Sequence, residues 1–323
     1  MFSSSRRFVA VALSGVCAGA ILSACGSDSG TTAPEPGEKL TVITAFYPLQ
    51  YATQRIAGDT ATVTNLTKPG AEPHDLELTP RDVGHVEQSD LVVYLKGFQP
   101  AVDDVVAQEA DDHNLEVSPF ANLTLTVPPG AEDDEHEHAP GDDHGHGEEG
   151  ARDPHFWLDP QRLSKVGDGI AARLSELAPD RAATFRDNAA KFRRDLADLD
   201  NDFRTGLATC RNRDVVTSHE AFGYLSRRYG FHQVGITGLS PEQEPSPAQL
   251  REATTFVRDH DVRTIYYETL VSPAVANTVA RETGATATVL DPIEGLTDQS
   301  AGTSYPAVMR ANLATLRKGQ ACT

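Results

Sequence analysis

Short apolar runs alternate with helical repeats over the first third of the chain. The run at 40–46 precedes a helical pattern that stops at Gly58, and the runs at 61–66 and 91–95 bracket a second helical pattern. Short apolar runs separated by segments of 3.6-residue periodicity indicate buried strands that alternate with helices. The order strand, helix, strand, helix, strand favours a parallel sheet.

The second half of the chain repeats this order of elements. The strand-like run at 213–218 leads into a helical pattern, and a second strand-like run is followed by a Pro-rich loop, a helix and the strand-like "VRTIYYE". Placed side by side, "VITAF" matches "VVTSH" and "TKPGAEPH" matches "LSPEQEPS". The matching order predicts two similar α/β lobes, at 39–179 and 209–323.

A long amphipathic helix is predicted between the lobes, at 180–208. Its apolar residues recur every three to four positions, and neither Gly nor Pro occurs from Arg181 to Thr205. A helix of about 28 residues would be roughly 42 Å long. Since a flexible hinge would require Gly or Pro in this stretch, the segment is predicted to act as a single rigid linking helix.

The first residues have the features of an export signal. Arg6 and Arg7 precede the apolar run 8–22, and "LSAC" resembles a bacterial lipobox, in which the cysteine becomes the lipidated N-terminus. Residues 1–24 are therefore predicted to be a lipoprotein signal peptide, with Cys25 lipidated. The alternative is an ordinary signal peptide with a chance cysteine. The Gly-, Ser- and Pro-containing stretch 25–38 is predicted to be a flexible tether to the outer face of the cell membrane.

Two cysteines remain after Cys17 in the signal and Cys25 at its end. Cys210 and Cys322 form an even pair in a chain directed to an oxidising compartment, so a disulfide between them is predicted. The alternative is two unpaired buried thiols.

The net charge of the chain and its histidine content limit the kinds of binding partner that suit it. The formal net charge is −19, which makes nucleic acid an unsuitable partner. The stretch 131–150, "AEDDEHEHAPGDDHGHGEEG", holds nine carboxylates and two H-x-H pairs, and its composition is typical of disorder. It is interpreted either as a solvated acidic loop or as an auxiliary metal collector that uses four histidines: His136, His138, His144 and His146.

Isolated histidines at predicted strand ends are the stronger candidates for a metal site. His74 lies in the loop after the second strand, and His219 ends a strand of the second lobe. His155 precedes a helix in "DPHFWLDP", and Asp291 ends another β-rich run. Ligands of parallel sheets bind at the carboxyl ends of strands, and three imidazoles with a carboxylate suit tetrahedral Zn²⁺. The alternatives are hydrogen-bonded structural histidines and, for Asp291, the start of a turn.

Several motifs together resemble the ZnuA-like solute-binding proteins of metal-importing ABC transporters. They are "KPGAEPHDLELTPRDV", "DPHFWLDP", "TSHEAFGYLSRRYGF", "GLSPEQEPSPAQL" and "VLDPIEG". The resemblance implies two Rossmann-like lobes joined by one long helix, with metal in the cleft between them. It also implies a monomer that delivers Zn²⁺ to a membrane permease, and His74, His155, His219 and Asp291 as ligands.

The identity of the metal and the class of protein have alternatives. Manganese-type relatives tend to carry a carboxylate in the "TSH" position, whereas His219 gives a nitrogen-rich site that favours zinc. A zinc hydrolase would need an open coordination position and a general base, for which Glu220 or Glu268 could be offered. No hydrolase motif supports either residue. The third alternative for the class of protein is an extracellular adhesin.

Overall fold

The computed structural model describes residues 39–127 and 151–323. The predicted signal peptide, the tether with Cys25 and the His-rich stretch 131–150 with its four histidines lie outside the described residues. The described part forms one compact unit by its internal contacts.

The first lobe is built on a parallel sheet of four strands. These are β1 (Leu40–Thr44), β2 (Ala61–Asn65), β3 (Leu91–Tyr94) and β4 (Asn114–Glu116), in the order β2-β1-β3-β4. Every residue of β3 is buried, whereas the edge strand β2 alternates buried or half-buried positions with exposed ones. Because β2 and β3 lie on opposite sides of β1, a crevice opens beyond the carboxyl ends of β1 and β3.

Helices connect and cover this sheet. They are α1 (Tyr47–Ala57), α2 (Pro80–Glu87), α3 (Pro100–Glu109) and α4 (Ser118–Ala121). Helix α2 begins with a capping box, in which Thr79 and Asp82 each accept a hydrogen bond from the other's backbone N–H. The short antiparallel strands β5 (Thr126–Val127) and β6 (Ala151–Arg152) pair beside the lobe.

The second lobe repeats the architecture. Its strands are β7 (Asp214–Thr217), β8 (His232–Gly235), β9 (Thr264–Tyr267) and β10 (Thr286–Val289), all parallel in the order β10-β9-β7-β8. The switch point of this sheet lies between β7 and β9. The predicted two-lobed parallel α/β fold is confirmed.

Along the chain, two long helices lie between the strands of the first sheet and those of the second. Helix α5 (Pro160–Leu177) starts at Asp159, whose carboxylate accepts the N–H of Gln161, and α6 (Ala182–Gly206) is the predicted linking helix. Six apolar side chains of α6 are buried in the main core: Phe185, Ala189, Phe192, Leu196, Leu199 and Phe203. No helix of the described residues is long and apolar enough to span a membrane.

The remaining helices complete the second lobe. They are α7 (Gly223–Tyr229), α8 (Pro247–Asp259), α9 (Ala274–Thr283) and α10 (Tyr305–Gly319). The disulfide predicted from the cysteine count is confirmed: Cys210 joins Cys322 across 112 residues. It ties the chain after α6 to the chain after α10.

Candidate metal centre

Three histidines and one glutamate converge at the carboxyl ends of the strands. His74 is on the loop that follows β2, His219 follows β7, Glu294 follows β10, and His155 precedes α5. One ligand atom from each lies within 4.8 Å of the others. The three histidines singled out in the sequence are thus brought together, from segments far apart in the chain.

The carboxylate of Glu294 lies at the centre of the three imidazoles. Its Oε1 is 3.0 Å from Nε2 of His155, 3.4 Å from Nε2 of His219 and 3.5 Å from Nε2 of His74. The side chains of Glu294 and His155 are fully buried, and that of His74 keeps 11% exposure. His74 therefore lies on the solvent side of the group.

The spacing and the unpaired atoms fit a bound divalent ion. Tetrahedral Zn²⁺ with bonds of about 2.0–2.2 Å requires ligand atoms about 3.3–3.5 Å apart, close to the separations around Oε1. Nε2 of His74, Nε2 of His219 and Oε2 of Glu294 are buried without a hydrogen-bond partner among the described residues. Buried polar atoms without partners are costly, so three of them within one group of His and Glu side chains fit a site that binds a metal ion.

Outer carboxylates orient two of the imidazoles. Asp153 Oδ1 lies 2.8 Å from Nδ1 of His155 and also accepts its backbone N–H, and Glu268 Oε1 lies 2.6 Å from Nδ1 of His219. Glu268 directly follows β9, at the switch point of the second sheet. A carboxylate on Nδ1 leaves Nε2 free for a metal and raises the basicity of the ring.

The same contacts set the charge state of the metal-free centre. Burial alone would lower the pKa of His219, but Glu268 and Glu294 outweigh it and raise that pKa to about 10. Burial also opposes ionisation of Glu294, yet contacts with the three imidazoles hold its pKa well below the usual range. Asp153 and Glu294 likewise raise the pKa of His155 despite its burial. Without metal, protons on His155 and His219 offset the charge of the buried carboxylates.

A second acidic side chain lies at the solvent side of the centre. Oε1 of Glu72 is 4.0 Å from Nε2 of His74. Burial and the charge of Glu294 raise the pKa of Glu72 to about 8. Glu72 is therefore protonated near neutral pH when the centre holds no metal.

Asp291 lies outside the group, and the prediction that it supplies the carboxylate ligand is corrected to Glu294. Its Oδ1 accepts the N–H of Ile293 and its Oδ2 accepts the hydroxyl of Ser300. Both carboxylates follow β10 in "LDPIEG", so their position after a strand did not distinguish them. The sequence did not predict that the outer carboxylates Asp153 and Glu268 orient the imidazoles. Glu268 nevertheless has the same sequence feature as His219, because it is a polar residue that follows a buried strand.

Other histidines have structural partners away from the centre. His113 is buried and its Nε2 lies 3.2 Å from the carbonyl of Val86. His232 and His260 each contact one oxygen of Asp214, at 3.1 and 3.0 Å, at the amino end of β7. These contacts make His113 a packed residue and place His232 and His260 at the surface.

Two parallel-sheet lobes that present three imidazoles and a carboxylate in a cleft define the class of metal-binding solute-binding proteins. Residues 42–319 match the family described as ZnuA, zinc-uptake complex component A, periplasmic. The chain belongs to this family, whose members are extracytoplasmic transport components.

Named relatives are consistent with this assignment. The chain is 36% identical over 304 residues to the high-affinity zinc uptake system protein ZnuA of Bacillus subtilis, covering 92% of this chain and 93% of that protein. It is 38% identical over 289 residues to the zinc-binding lipoprotein AdcA of Streptococcus pneumoniae, covering 87% of this chain. The chain spans 56% of the length of AdcA, so this relative contains a further region.

Solved structures share the fold. The Zn(II)-bound ZnuA-like domain of Streptococcus pneumoniae AdcA superposes with a TM-score of 0.70 at 34% identity, covering 87% of this chain and 99% of that one. The laminin-binding protein Lmb of Streptococcus agalactiae, described as a bifunctional protein with adhesin and metal transporting activity, gives a TM-score of 0.74 at 30% identity, with the same coverage of both chains.

Proposed function

We propose that this protein captures Zn²⁺ outside the cell membrane and delivers it to the permease of an ABC importer. The observation that carries the proposal is the convergence of His74, His155, His219 and Glu294, with three buried donor atoms that lack a partner. Membership of the zinc-uptake family and the zinc-binding names of relatives support it.

The donor set favours zinc over manganese. Imidazole nitrogens suit Zn²⁺, whereas Mn²⁺ prefers carboxylate, carbonyl and water oxygens. Three imidazole nitrogens and one carboxylate oxygen converge at this site. This nitrogen-rich set agrees with the presence of histidine, and not a carboxylate residue, at position 219.

The same donor set favours binding over catalysis. Catalytic zinc sites have three protein ligands and keep the fourth position for water or substrate. Here Glu294 supplies a fourth donor at the centre of the imidazoles. Glu268, a possible general base for a hydrolase, is instead engaged with Nδ1 of His219 and the hydroxyl of Ser218. We infer a transport protein without enzymatic activity.

Entry and release of the ion would start at His74, the most exposed of the four ligands. Its loop meets the Glu294 loop through one cross-lobe hydrogen bond, from the N–H of Gly70 to the carbonyl of Leu296 at 3.1 Å. Gly70 has φ +80°, a conformation that favours glycine. Breaking this bond would separate the His74 loop from the Glu294 loop, while His155, His219 and Glu294 stay fixed by their burial.

The rigid linking helix limits how far the lobes can separate. Helix α6 packs along α5 and buries its apolar face in the core that spans both lobes. We expect loop-level change on zinc release, so small-angle scattering should give similar radii of gyration for apo and zinc-loaded protein. A large increase in the apo radius would contradict this part of the proposal.

The predicted export features indicate where the protein is located and how it is attached to the membrane. We propose that the protein is a monomer anchored by lipid at Cys25, which rests on the "LSAC" sequence and on relatives named lipoproteins. We further propose that His136, His138, His144 and His146 collect zinc with low affinity and that the tight site needs none of them.

The test is a competition titration of metal-free protein with Zn²⁺ and Mn²⁺ against a chromophoric chelator. Wild type is expected to bind one tight zinc equivalent and to bind Mn²⁺ more weakly. His219→Ala and Glu294→Gln should each lose more than the ~10–100-fold that loss of an outer partner costs. His85→Ala, at an exposed histidine of α2, is the matched control. Tight binding retained in both ligand variants would refute the proposed site.

A further inference from the structure

The residue immediately before Glu294 has an unusual backbone conformation. Ile293 has φ +60°, in the left-handed region, and its side chain is fully buried. A β-branched residue rarely adopts this conformation, because its Cβ approaches the following carbonyl oxygen. The penalty disfavours an L side chain over glycine by roughly 5- to 30-fold in population. Something in the surroundings must hold the turn.

Asp291 makes the contact that closes this turn. Its Oδ1 accepts the N–H of Ile293 at 2.8 Å, and its Oδ2 accepts the hydroxyl of Ser300 at 3.0 Å. Asn312 of α10 fixes the backbone of Asp291 on both sides, since its Oδ1 accepts the Asp291 N–H at 3.0 Å and its Nδ2 donates to the Asp291 carbonyl at 2.6 Å. The aspartate is therefore itself held in place by a helix.

The turn is also fastened to the segment that carries His155. Nε1 of Trp157 donates to the carbonyl of Pro292 at 2.7 Å, and the carbonyl of Trp157 accepts the hydroxyl of Tyr305 at 2.5 Å. Trp157 is two residues after His155, and Pro292 is two residues before Glu294. One set of hydrogen bonds thus fixes two ligand-bearing segments relative to each other.

From these contacts we infer that Asp291 is the positioning residue of Glu294. By holding Ile293 in the left-handed conformation, it directs the Glu294 carboxylate into the cleft among the three imidazoles. Without the Asp291 acceptor, Ile293 relaxes to an ordinary conformation and the chain leaves the turn in another direction, which withdraws Glu294. The inference rests on the proposed zinc function, because it concerns one ligand of that site.

The primary variants separate positioning from general stability. Asp291→Ala removes the acceptor, and zinc affinity should fall by about 10- to 100-fold. Asp291→Asn keeps an oxygen for the Ile293 N–H, and the Ser300 hydroxyl can rotate to accept from the new amide, so affinity should stay within a few-fold of wild type. In Co²⁺-loaded protein, the visible spectrum of Asp291→Ala should shift toward that of Glu294→Gln, because both lose the same oxygen ligand.

A matched pair at the strained position gives the sharpest test. Ile293→Ala and Ile293→Gly both remove the buried side chain, but only glycine accepts φ +60° without penalty. In the Asp291→Ala background, the glycine variant should bind zinc about tenfold more tightly than the alanine variant. If Asp291→Ala does not fold, the two single variants at Ile293 are compared with Asp291 in place, and glycine should again bind more tightly.

Each outcome decides the inference. Equal zinc affinity in the alanine and glycine variants, or a wild-type Co²⁺ spectrum in Asp291→Ala, would overturn it and leave Asp291 with a structural role, visible only in thermal unfolding of the apo protein. Failure of wild type to bind zinc would refute the proposed function instead.

Discussion

Zinc binding should displace protons from the centre, and two of its imidazoles are sources of them. Burial lowers the pKa of His219, but Glu268 and Glu294 raise it to about 10, so this ring carries a proton throughout the neutral range. The pKa of His155 is also raised, by Asp153 and Glu294 against its burial. A metal ligand must be deprotonated, so Zn²⁺ has to replace these protons.

The size of the effect follows from proton linkage. Each displaced proton weakens binding about tenfold for every unit that the pH falls. His219 contributes one full proton between pH 8 and 6. The raised pKa of His155 adds a contribution from a second imidazole. Glu294 contributes none, because its pKa lies well below this range. Zinc affinity should therefore fall by about 10²- to 10⁴-fold from pH 8 to pH 6.

Calorimetry in buffers of different ionisation enthalpy measures the protons released at a fixed pH. Wild type should release at least one proton at pH 7. Glu268→Gln removes the carboxylate on Nδ1 of His219 and should reduce the number by close to one. Asp214→Asn is the matched control, because Asp214 also contacts imidazoles but lies at the opposite end of β7. A release near zero in wild type, or an unchanged number in Glu268→Gln, would refute the assigned protonation of the centre.

Three further predictions concern the rest of the molecule. Replacing both Cys210 and Cys322 by Ser opens a loop of 112 residues and should cost at most about 4–5 kcal/mol of unfolding free energy in denaturant titrations, without change in zinc affinity. Asp200→Asn weakens a buried carboxylate that accepts two hydrogen bonds from Arg228. It should cost roughly 2–3 kcal/mol by the same assay, less than a fully buried pair because Arg228 is partly exposed. Deleting 131–150 should leave one tight zinc equivalent in equilibrium dialysis, and its loss would contradict the auxiliary role of that stretch.

The lobes could be predicted because periodicity reports burial directly. Strand β3 is buried on both faces and reads as a continuous apolar run, and the Gly-free, Pro-free repeat of α6 reads as one long helix. The position of His219 in the cleft could be predicted from the topology, since parallel sheets place binding residues at the carboxyl ends of their strands. These features depend only on local pattern and on the topology it implies.

The carboxylate that meets the three imidazoles could not be predicted because its identity depends on one backbone angle. Asp291 and Glu294 both follow β10, and the left-handed conformation of Ile293 decides which carboxylate faces the imidazoles. The sequence does not predict the left-handed conformation at this position, because isoleucine is among the residues least suited to it. Similarly, the contact between Glu268 and His219 joins residues that follow two different strands, and these strands become neighbours only in the folded sheet.

The location of the bound ion tests the account most directly. Crystals of the zinc-loaded protein, measured at the zinc absorption edge, should show one strong anomalous peak in the cleft. We predict that it lies about 2.0–2.2 Å from Nε2 of His74, His155 and His219 and from a carboxylate oxygen of Glu294. A peak bonded to Asp291 in place of Glu294, or no peak in the cleft, would contradict the proposed metal centre.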